Sequence, residues 1–247
     1  MSRKCTQMNF NATFNSINGI TQKFIDNSQN ELLKDFNVPQ IIPIPEFMQD
    51  EIPRIVAVSN GGHSQITLSK INCSITTNFD DNFSSDINKC IEYFDNKTET
   101  AIKVINTLEN EESLKLKFFG VTTELIFDKQ NAVQLLQDNM IKINTKDICD
   151  INLQISRVIQ ERYYVNVRFS NTRLFTNKIN ALDCGFLDNE HHNGIQVIID
   201  VNNRYAFSKG KTRNEKCKLG EIEQIKSILE NTIKTLPDVY GRGVFNE

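Results

Sequence analysis

The chain has 247 residues, of which 39% are hydrophobic and 24% are charged, and its formal net charge is −3. That length and apolar content favour a folded core over wholesale disorder, and the charge excludes a generally cationic nucleic-acid coat. The charge is also uneven. Residues 1–130 contain 12 Lys and Arg against 17 Asp and Glu, whereas residues 131–247 contain 16 against 14. We therefore expect any anion-binding surface in the second half.

The cysteines and the apolar segments of the sequence indicate the cellular compartment of the protein. The six cysteines are widely spaced, and no pair has the short spacing of a metal knuckle, so we expect thiols rather than a disulfide framework. Residues 1–14 lack the apolar core of a signal peptide, and there is no run of about 18 apolar residues. We expect a cytoplasmic protein with no membrane contact.

The N-terminal region, residues 1–52, is predicted to be a helical arm followed by a connector. Apolar residues from Met8 to Phe36 occur at spacings that fit short helices, with an interruption near Gly19. Residues 37–53 then include four prolines. Because proline fixes φ and has no N–H to donate, this stretch is predicted to be extended. We expect its apolar side chains to lie against the body of the protein.

The first half of the body, residues 53–130, opens with three segments that alternate apolar and polar residues. They lie at residues 55–59, 64–68 and 71–77. Asn60-Gly61 separates the first two segments and is typical of a β-hairpin. An amphipathic helix is predicted over residues 83–108, with a break at 96–100. One long strand, or two strands, bent at Gly120, completes this half.

The second half, residues 131–247, repeats this order. A short helix, two strands, a polar loop, a buried run and a final helix are predicted at residues 132–140, 151–155, 162–169, 176–193, 195–201 and 219–236. Pro237 is expected to end the last helix. The sequence therefore predicts an α+β fold with a mainly antiparallel sheet, built from two similar strand-strand-strand-helix halves, with the helical arm at the N-terminus.

Histidine, the commonest metal ligand, is scarce in this chain. His63 follows two glycines in a predicted turn, and the others are the adjacent pair His191 and His192. This pair could bind a metal with Asp183 or Asp188, but neighbouring residues of a strand point to opposite faces, and we interpret the pair as part of a loop surface. We predict no metal and no cofactor.

Asp200 is the catalytic candidate, because it ends the buried run at residues 195–199. Nucleases often hold Mg²⁺ with a carboxylate at the end of a strand, together with further acids. Glu124, Asp128 and Lys129 could complete such a site. The alternative is a strand that ends in a turn, where Asp and Asn side chains bond the backbone.

The strongest functional signal is positive charge in the second half. The polar face of the strand at residues 162–169 offers two arginines, and further basic residues cluster from residue 204 onward, among Tyr164, Tyr205 and Phe207. Positive charge interleaved with aromatic rings is typical of an anion or nucleic-acid surface, although a solvated loop has the same composition. The predicted binding residues are Arg162, Arg168, Arg204, Lys209, Lys211 and Arg213.

Five short motifs are spread over residues 45–240: Pro53-Arg54-Ile55, Ser64-Gln65-Ile66-Thr67-Leu68-Ser69, Tyr93-Phe94, Tyr163-Tyr164-Val165-Asn166 and Asp200-Val201-Asn202. Together they resemble a family of uncharacterised, sporadically distributed prokaryotic proteins of similar length. Sporadic distribution is typical of defence and toxin-antitoxin genes. The resemblance implies a non-enzymatic, protein-binding component of a bacterial anti-phage defence or toxin-antitoxin system, with a partner protein encoded nearby and a homo-oligomeric state. The alternative is a metal-dependent nuclease or a nucleic-acid-binding protein that uses the basic second half.

Overall fold

A computed structural model of the chain describes residues 3–108, 116–129, 131–141, 148–175, 190–209 and 219–240. The strands are β1 (Arg3–Phe14), β2 (Gln40–Ile41), β3 (Ile55–Val58), β4 (Ser64–Leu68), β5 (Asn72–Asn78), β6 (Leu116–Asp128), β7 (Asn152–Ile159), β8 (Tyr163–Phe175) and β9 (Glu190–Asn202). The helical segments are α1 (Ile20–Lys23), a π-helical turn (Phe24–Ser28), α2 (Gln29–Leu32), α3 (Asp81–Ser84), α4 (Ile87–Thr107), α5 (Ala132–Leu136), a second π-helical turn (Gln137–Ile141), α6 (Arg204–Ser208) and α7 (Leu219–Tyr240). The predicted α+β class is confirmed.

The described strands form one antiparallel sheet in the order β2-β3-β4-β5-β1-β6-β9-β8-β7. The pair β1 and β6 lies in the middle, and Phe10 of β1 faces Val121 of β6. Outward from this pair, β5, β4 and β3 follow on one side, and β9, β8 and β7 follow on the other. The predicted hairpin between β3 and β4 is confirmed, with Ile55 opposite Leu68.

The hydrophobic core lies on one face of this sheet. The strands alternate buried and half-buried residues, as expected for a sheet that is covered on one side. In the centre, Phe10 and Ala12 of β1 are fully buried beside Val121 and Leu125 of β6. The two long helices cover this face with Phe94, Ala101, Val104 and Ile105 of α4 and Ile222, Ile225, Leu229 and Ile233 of α7.

The helix α4 runs without the break that was predicted at residues 96–100. Asp86 caps its first turn by accepting a hydrogen bond from the backbone N–H of Lys89 at 3.2 Å. The polar residues near its middle stay helical, and their hydroxyls have partners: Thr98 donates to the carbonyl of Phe94 at 2.9 Å, and Thr100 donates to the carboxylate of Asp35. Both threonines are buried, so these bonds satisfy hydroxyl groups that water does not reach.

The predicted helical arm is wrong for its first part, because residues 3–14 form the central strand β1. The spacing of Phe10, Phe14 and Ile17 fits a helix, but Met8, Phe10, Ala12 and Phe14 also alternate with polar residues at the period of a strand. The segment forms a strand rather than a helix because β5 and β6 pair with it on both sides. The helical part of this region is confined to residues 20–32.

The proline-containing connector is held to the body by polar contacts. The guanidinium of Arg54 donates to the carbonyl of Ile44 at 3.2 Å, and Lys70 forms ion pairs with Asp50 at 2.9 Å and Glu46 at 3.4 Å. Its apolar side chains do not all pack inward as expected. Phe47 is 87% exposed, and it lies in the segment that connects β2 to β3.

Three details of the second half differ from the prediction. The strand β9 begins at Glu190, so His191 and His192 lie in a strand rather than in the predicted loop, whose residues 176–189 are outside the described ranges. The short helix α6 occupies residues that were predicted to be loop. The helix α7 continues past Pro237 to Tyr240, since a proline removes one N–H donor without having to end a helix.

Candidate functional site

The face of the sheet opposite the core is polar and open in the described residues. Its side chains are half-buried or exposed, and most are Asn, Gln, Ser or Thr. We call the following set the amide-rich face: Gln7, Asn9, Asn11 and Thr13 of β1, Asn72, Ser74, Thr76 and Asn78 of β5, Phe118, Gly120, Thr122 and Glu124 of β6, Tyr164, Asn166, Arg168 and Ser170 of β8, and Gln196, Ile198, Asp200 and Asn202 of β9.

Cross-strand pairs order part of this surface. The amide of Gln7 donates to Asn78 on the neighbouring strand at 2.8 Å, and the hydroxyl of Ser170 contacts the amide oxygen of Gln196 at 3.1 Å. Along β1, the amide nitrogen of Asn9 donates to Gln7 at 2.9 Å. Each of these bonds uses only part of what an amide offers, so donors and acceptors remain for a ligand.

A cavity of about 330 Å³ opens on the amide-rich face where β1, β6 and β9 meet. We call it the central pocket. It is lined by Asn9, Asn11, Phe118, Gly120, Thr122, Asp200, Asn202 and Arg204. Glycine is required at residue 120, because a Cβ there would lie 2.7 Å from the Cβ of Asn202. Its volume is at the small end of the range for ligand sites, which suits a single small ring system.

Asp200, the predicted catalytic candidate, lies in this pocket. Its Oδ2 atom accepts hydrogen bonds from the side-chain amides of Asn166 at 2.9 Å and Asn202 at 2.8 Å. Within the described part of the chain, its Oδ1 atom has only a long contact with the hydroxyl of Thr122, at 3.5 Å. The amides therefore fix the carboxylate in place, and Oδ1 keeps most of its capacity to accept a hydrogen bond.

The other predicted acids do not join Asp200. Glu124 faces Ile198 on β9 and accepts a hydrogen bond from the hydroxyl of Thr6 at 3.0 Å. Asp128 lies at the far end of β6, opposite Gly194, whereas Asp200 faces Thr122. In the described residues no group of three His, Cys, Asp or Glu side chains is placed to hold a metal ion.

One end of the central pocket is bounded by what we call the aromatic–cation cluster. It consists of Phe118, Tyr164, Arg204, Tyr205, Phe207 and Lys209. The ring centroids are 5.9 Å apart in the Phe118–Phe207 pair and 5.4 Å apart in the Tyr164–Tyr205 pair. The guanidinium of Arg204 lies 5.0 Å from the Phe118 ring, and the ammonium of Lys209 lies 5.7 Å from the Tyr205 ring.

The helix α6 brings this cluster together, because it turns back over the ends of β6 and β8, where Phe118 and Tyr164 lie. The side chain of Asn203 precedes it, is buried, and accepts from the backbone N–H of Phe119 at 2.9 Å. Asn202 accepts from the backbone N–H of Arg204 at 3.1 Å. The predicted turn chemistry after the buried run is thus provided by Asn202, while Asp200 bonds to side chains instead.

The predicted basic residues divide into four groups. Arg204 and Lys209 belong to the aromatic–cation cluster, and Arg168 is exposed on the amide-rich face. Arg162 forms an ion pair with Glu221 of α7, so its charge is neutralised by the last helix. Lys211 and Arg213 lie outside the described residues.

No protein-family model matches the chain. A search of curated proteins likewise gave no significant match. Within the described ranges, no helix combines the length and the apolar composition needed to cross a membrane. A functional assignment therefore depends on the site.

A second exposed surface lies at the β2 edge of the sheet. Val38 is 79% exposed and Phe47 is 87% exposed, and Ile41 and Met48 near them are also exposed. Single exposed apolar side chains are common, but four within eleven residues of one segment form a group that water solvates poorly. We call these four residues the apolar edge.

Proposed function

We propose that this protein binds single-stranded nucleic acid on its amide-rich face and acts as a binding protein rather than a nuclease. The observation that carries the proposal is the aromatic–cation cluster beside the central pocket. It combines the two chemical groups that single strands require, rings on which bases stack and cations that neutralise phosphates.

The rings of the cluster are arranged for contact with a flat ligand. All four are half-buried, so each is held in place while part of it remains open to solvent. Arg204 is exposed beside Phe118, and Lys209 is exposed beside Tyr205. Each of these two rings therefore has a positive charge near its face. A nucleotide stacked on either ring would bring its phosphate towards a cation.

The remainder of the face supports the same ligand. Amide and hydroxyl groups donate and accept hydrogen bonds, so they pair with base edges and sugar hydroxyls without adding charge. Arg168 supplies a further exposed cation on β8. The sequence after α6 continues the positive charge through Lys211, Arg213, Lys216 and Lys218.

Cleavage by a metal ion is supported less well than binding. A metal-dependent nuclease needs several acidic ligands around one ion. Asp200 has amide neighbours instead, and two of these amides occupy its Oδ2 atom. Glu124 is engaged with Thr6.

Fluorescence anisotropy with a labelled single strand of about 12 nucleotides of mixed sequence would test the proposal. We expect binding at low salt, and a logarithm of affinity that falls with the logarithm of salt by about 0.7 per neutralised phosphate. Arg168→Glu and Arg204→Glu should each weaken binding and flatten this slope. Lys103→Glu is the matched control, because Lys103 is exposed on α4, which covers the other side of the sheet.

Two results would contradict the proposal. One is no binding at low salt by the unmodified protein. The other is an equal loss of affinity in Lys103→Glu and in the two site variants, which would indicate a response to net charge alone. Degradation of the strand in Mg²⁺ that Asp200→Ala abolishes would favour the nuclease alternative.

The apolar edge supports a second candidate function, the binding of a partner protein. Exposed apolar side chains next to a sheet edge are suited to docking another chain. This agrees with the expectation of a partner encoded nearby, in a defence or toxin-antitoxin system, which stays a prediction. Co-purification of the native operon tests it. Phe47→Asp should release the partner, whereas Val158→Asp, at an exposed apolar residue of the opposite edge strand, should not.

The idea that the two halves are related also stays a proposal. It is supported by the strand order, in which β5, β4 and β3 extend from one side of the β1–β6 pair and β9, β8 and β7 from the other, with the short β2 as a fourth strand beyond β3. A long helix also follows each set in the chain. Alignment of related sequences, first half against second half, would test it. Related halves should share their pattern of inward apolar residues.

A further inference from the structure

The central pocket has the size and shape for one base. Its volume is about 330 Å³, and Gly120 contributes no side chain to it. The Phe118 ring lies on one side, with the Arg204 guanidinium 5.0 Å from the ring centroid. Aromatic rings and guanidinium planes are the surfaces on which unstacked bases are held. A flat ligand can therefore lie against this wall while its edge faces the polar lining.

The polar lining contains one carboxylate, that of Asp200, beside several amides. Among the described residues, Asp200 Oδ1 has only the 3.5 Å contact with Thr122. Asn9 donates one N–H of its amide to Gln7, and its carbonyl oxygen can accept a further hydrogen bond. A ligand that bonds to Asp200 must present a hydrogen-bond donor, such as an N–H group. Hydrogen bonds to an ionised carboxylate are about twice as strong as those between neutral groups, so Asp200 dominates the choice.

The bases differ in what they present to a carboxylate. The pairing edge of guanine carries two adjacent donors, the N1–H and the N2 amine. Adenine and cytosine each offer one amine beside a ring nitrogen that accepts, and uracil offers one N–H between two carbonyls. An acceptor placed against Asp200 would be repelled. Asn11 also lines the pocket, and no other described residue bonds to its amide, which can donate to the guanine O6 atom.

We propose that the central pocket binds a guanine base through Asp200, either as a free nucleotide or as a base of a strand. The strand form rests on the proposed function, whereas the free nucleotide does not. Asp200 accepts from the N1–H and N2 donors of the guanine edge, Phe118 and Arg204 hold the ring, and Asn11 donates to the O6 atom on the same edge.

The substitution Asp200→Asn gives a direct test, because the surrounding amides fix its orientation. Asn166 and Asn202 both donate to the Oδ2 position, so the carbonyl oxygen of the new amide should stay there. Its NH₂ group then occupies the Oδ1 position. The shape of the pocket is unchanged, while the atom available to the ligand changes from an acceptor to a donor.

Titration calorimetry would compare guanosine, inosine, adenosine and xanthosine 5′-monophosphates, which share the sugar and phosphate. We expect the guanine nucleotide to bind tighter than the adenine and hypoxanthine nucleotides, by on the order of tenfold or more. Hypoxanthine lacks the N2 amine, and xanthine replaces it with a carbonyl. Asp200→Asn should lose the guanine preference and gain affinity for the xanthine nucleotide. Asn11→Ala should weaken guanine binding severalfold, whereas Asn88→Ala, at an exposed residue of α4, should not.

Equal affinity for the guanine and adenine nucleotides, or no binding of either, would overturn the guanine assignment. Unchanged guanine binding in Asp200→Asn would also overturn it. Oligonucleotides separate this result from the proposed function. If an adenine-only strand binds as well as a guanine-containing one, and Arg168→Glu weakens both, the guanine assignment falls and strand binding stands. If the guanine nucleotide binds with the expected preference but no strand binds, the free nucleotide is the ligand and strand binding falls.

Discussion

The close approach of β9 to β6 at Gly120 makes Gly120→Ala the most informative stability variant. A Cβ at this residue would lie 2.7 Å from the Cβ of Asn202, 3.0 Å from the carbonyl oxygen of Val201 and 3.3 Å from the Cα of Asn202. None of these atoms belongs to the flexible end of a side chain. The methyl group can be accommodated only if the two paired strands move apart locally.

The expected loss of stability in Gly120→Ala is the difference between two opposing effects. Overpacking a well-packed site costs about 1–3 kcal/mol, whereas replacing glycine by alanine restricts the unfolded chain and returns about 0.4–1 kcal/mol. The net loss should be about 1–2 kcal/mol, which corresponds to a fall of roughly 2–8 °C in melting temperature for a chain of this size. Since Gly120 and Asn202 both line the central pocket, guanine nucleotide binding should weaken in parallel.

Gly61→Ala is the matched control. A Cβ at residue 61 would meet His63 and Tyr93 at 3.6 Å, an ordinary contact distance. This variant should therefore be neutral or slightly stabilising. Urea denaturation measures both free energies of unfolding, and an unchanged m-value would show that the comparison is valid. Equal stability of the two alanine variants would refute the close approach of β6 and β9.

Two further predictions concern ion pairs. Burial by itself raises the pKa of Asp35, but hydrogen bonds from Lys97, at 2.8 Å, and Thr100 outweigh it and lower the pKa below the usual value. Asp35→Asn should cost about 1–2 kcal/mol at neutral pH. The variant should also lose less stability below about pH 4, because a carboxyl with a lowered pKa contributes stability that is lost as pH falls. If urea denaturation shows the same loss of unfolding free energy at acidic pH in both proteins, this reasoning is contradicted. Lys226, 5% exposed, pairs with Asp95 at 3.1 Å, and burial raises the pKa of Asp95. Lys226→Met should cost about 1–3 kcal/mol at pH 7 and less as Asp95 becomes protonated, so a loss that does not depend on pH would argue against the pair.

Local signals in the sequence predicted much of the fold. The Asn60-Gly61 turn and the alternation on either side of it gave the hairpin of β3 and β4. The helical spacing of apolar residues gave α4 and α7. The strand β1 was mistaken for helix because its apolar residues fit both periods over a short distance. The choice between them comes from pairing with β5 and β6, and neither partner is adjacent in sequence.

The candidate site could be predicted only in part, again because some of its residues are brought together by strands that are distant in the sequence. Asp200 and Arg204 were singled out from composition and position, and both line the central pocket. Phe118 and Gly120 were not, because their roles depend on the register that brings β6 beside β9. The alternation from Phe119 to Phe127 in fact indicates that Phe118 faces outward. The ion pair of Arg162 with Glu221 could not be predicted from the sequence, because it depends on how α7 packs.

The central position of β1 affects how the chain folds and what a truncation of its N-terminal region would remove. Phe10 pairs with Ile75 on one side and with Val121 on the other, so β1 is synthesised before both of its partners and its pairing is complete only after β6 exists. Long-range pairing of this kind slows folding and leaves an edge exposed during synthesis. A deletion of residues 3–14, the segment predicted as part of a helical arm, would remove one of the two central strands of the sheet.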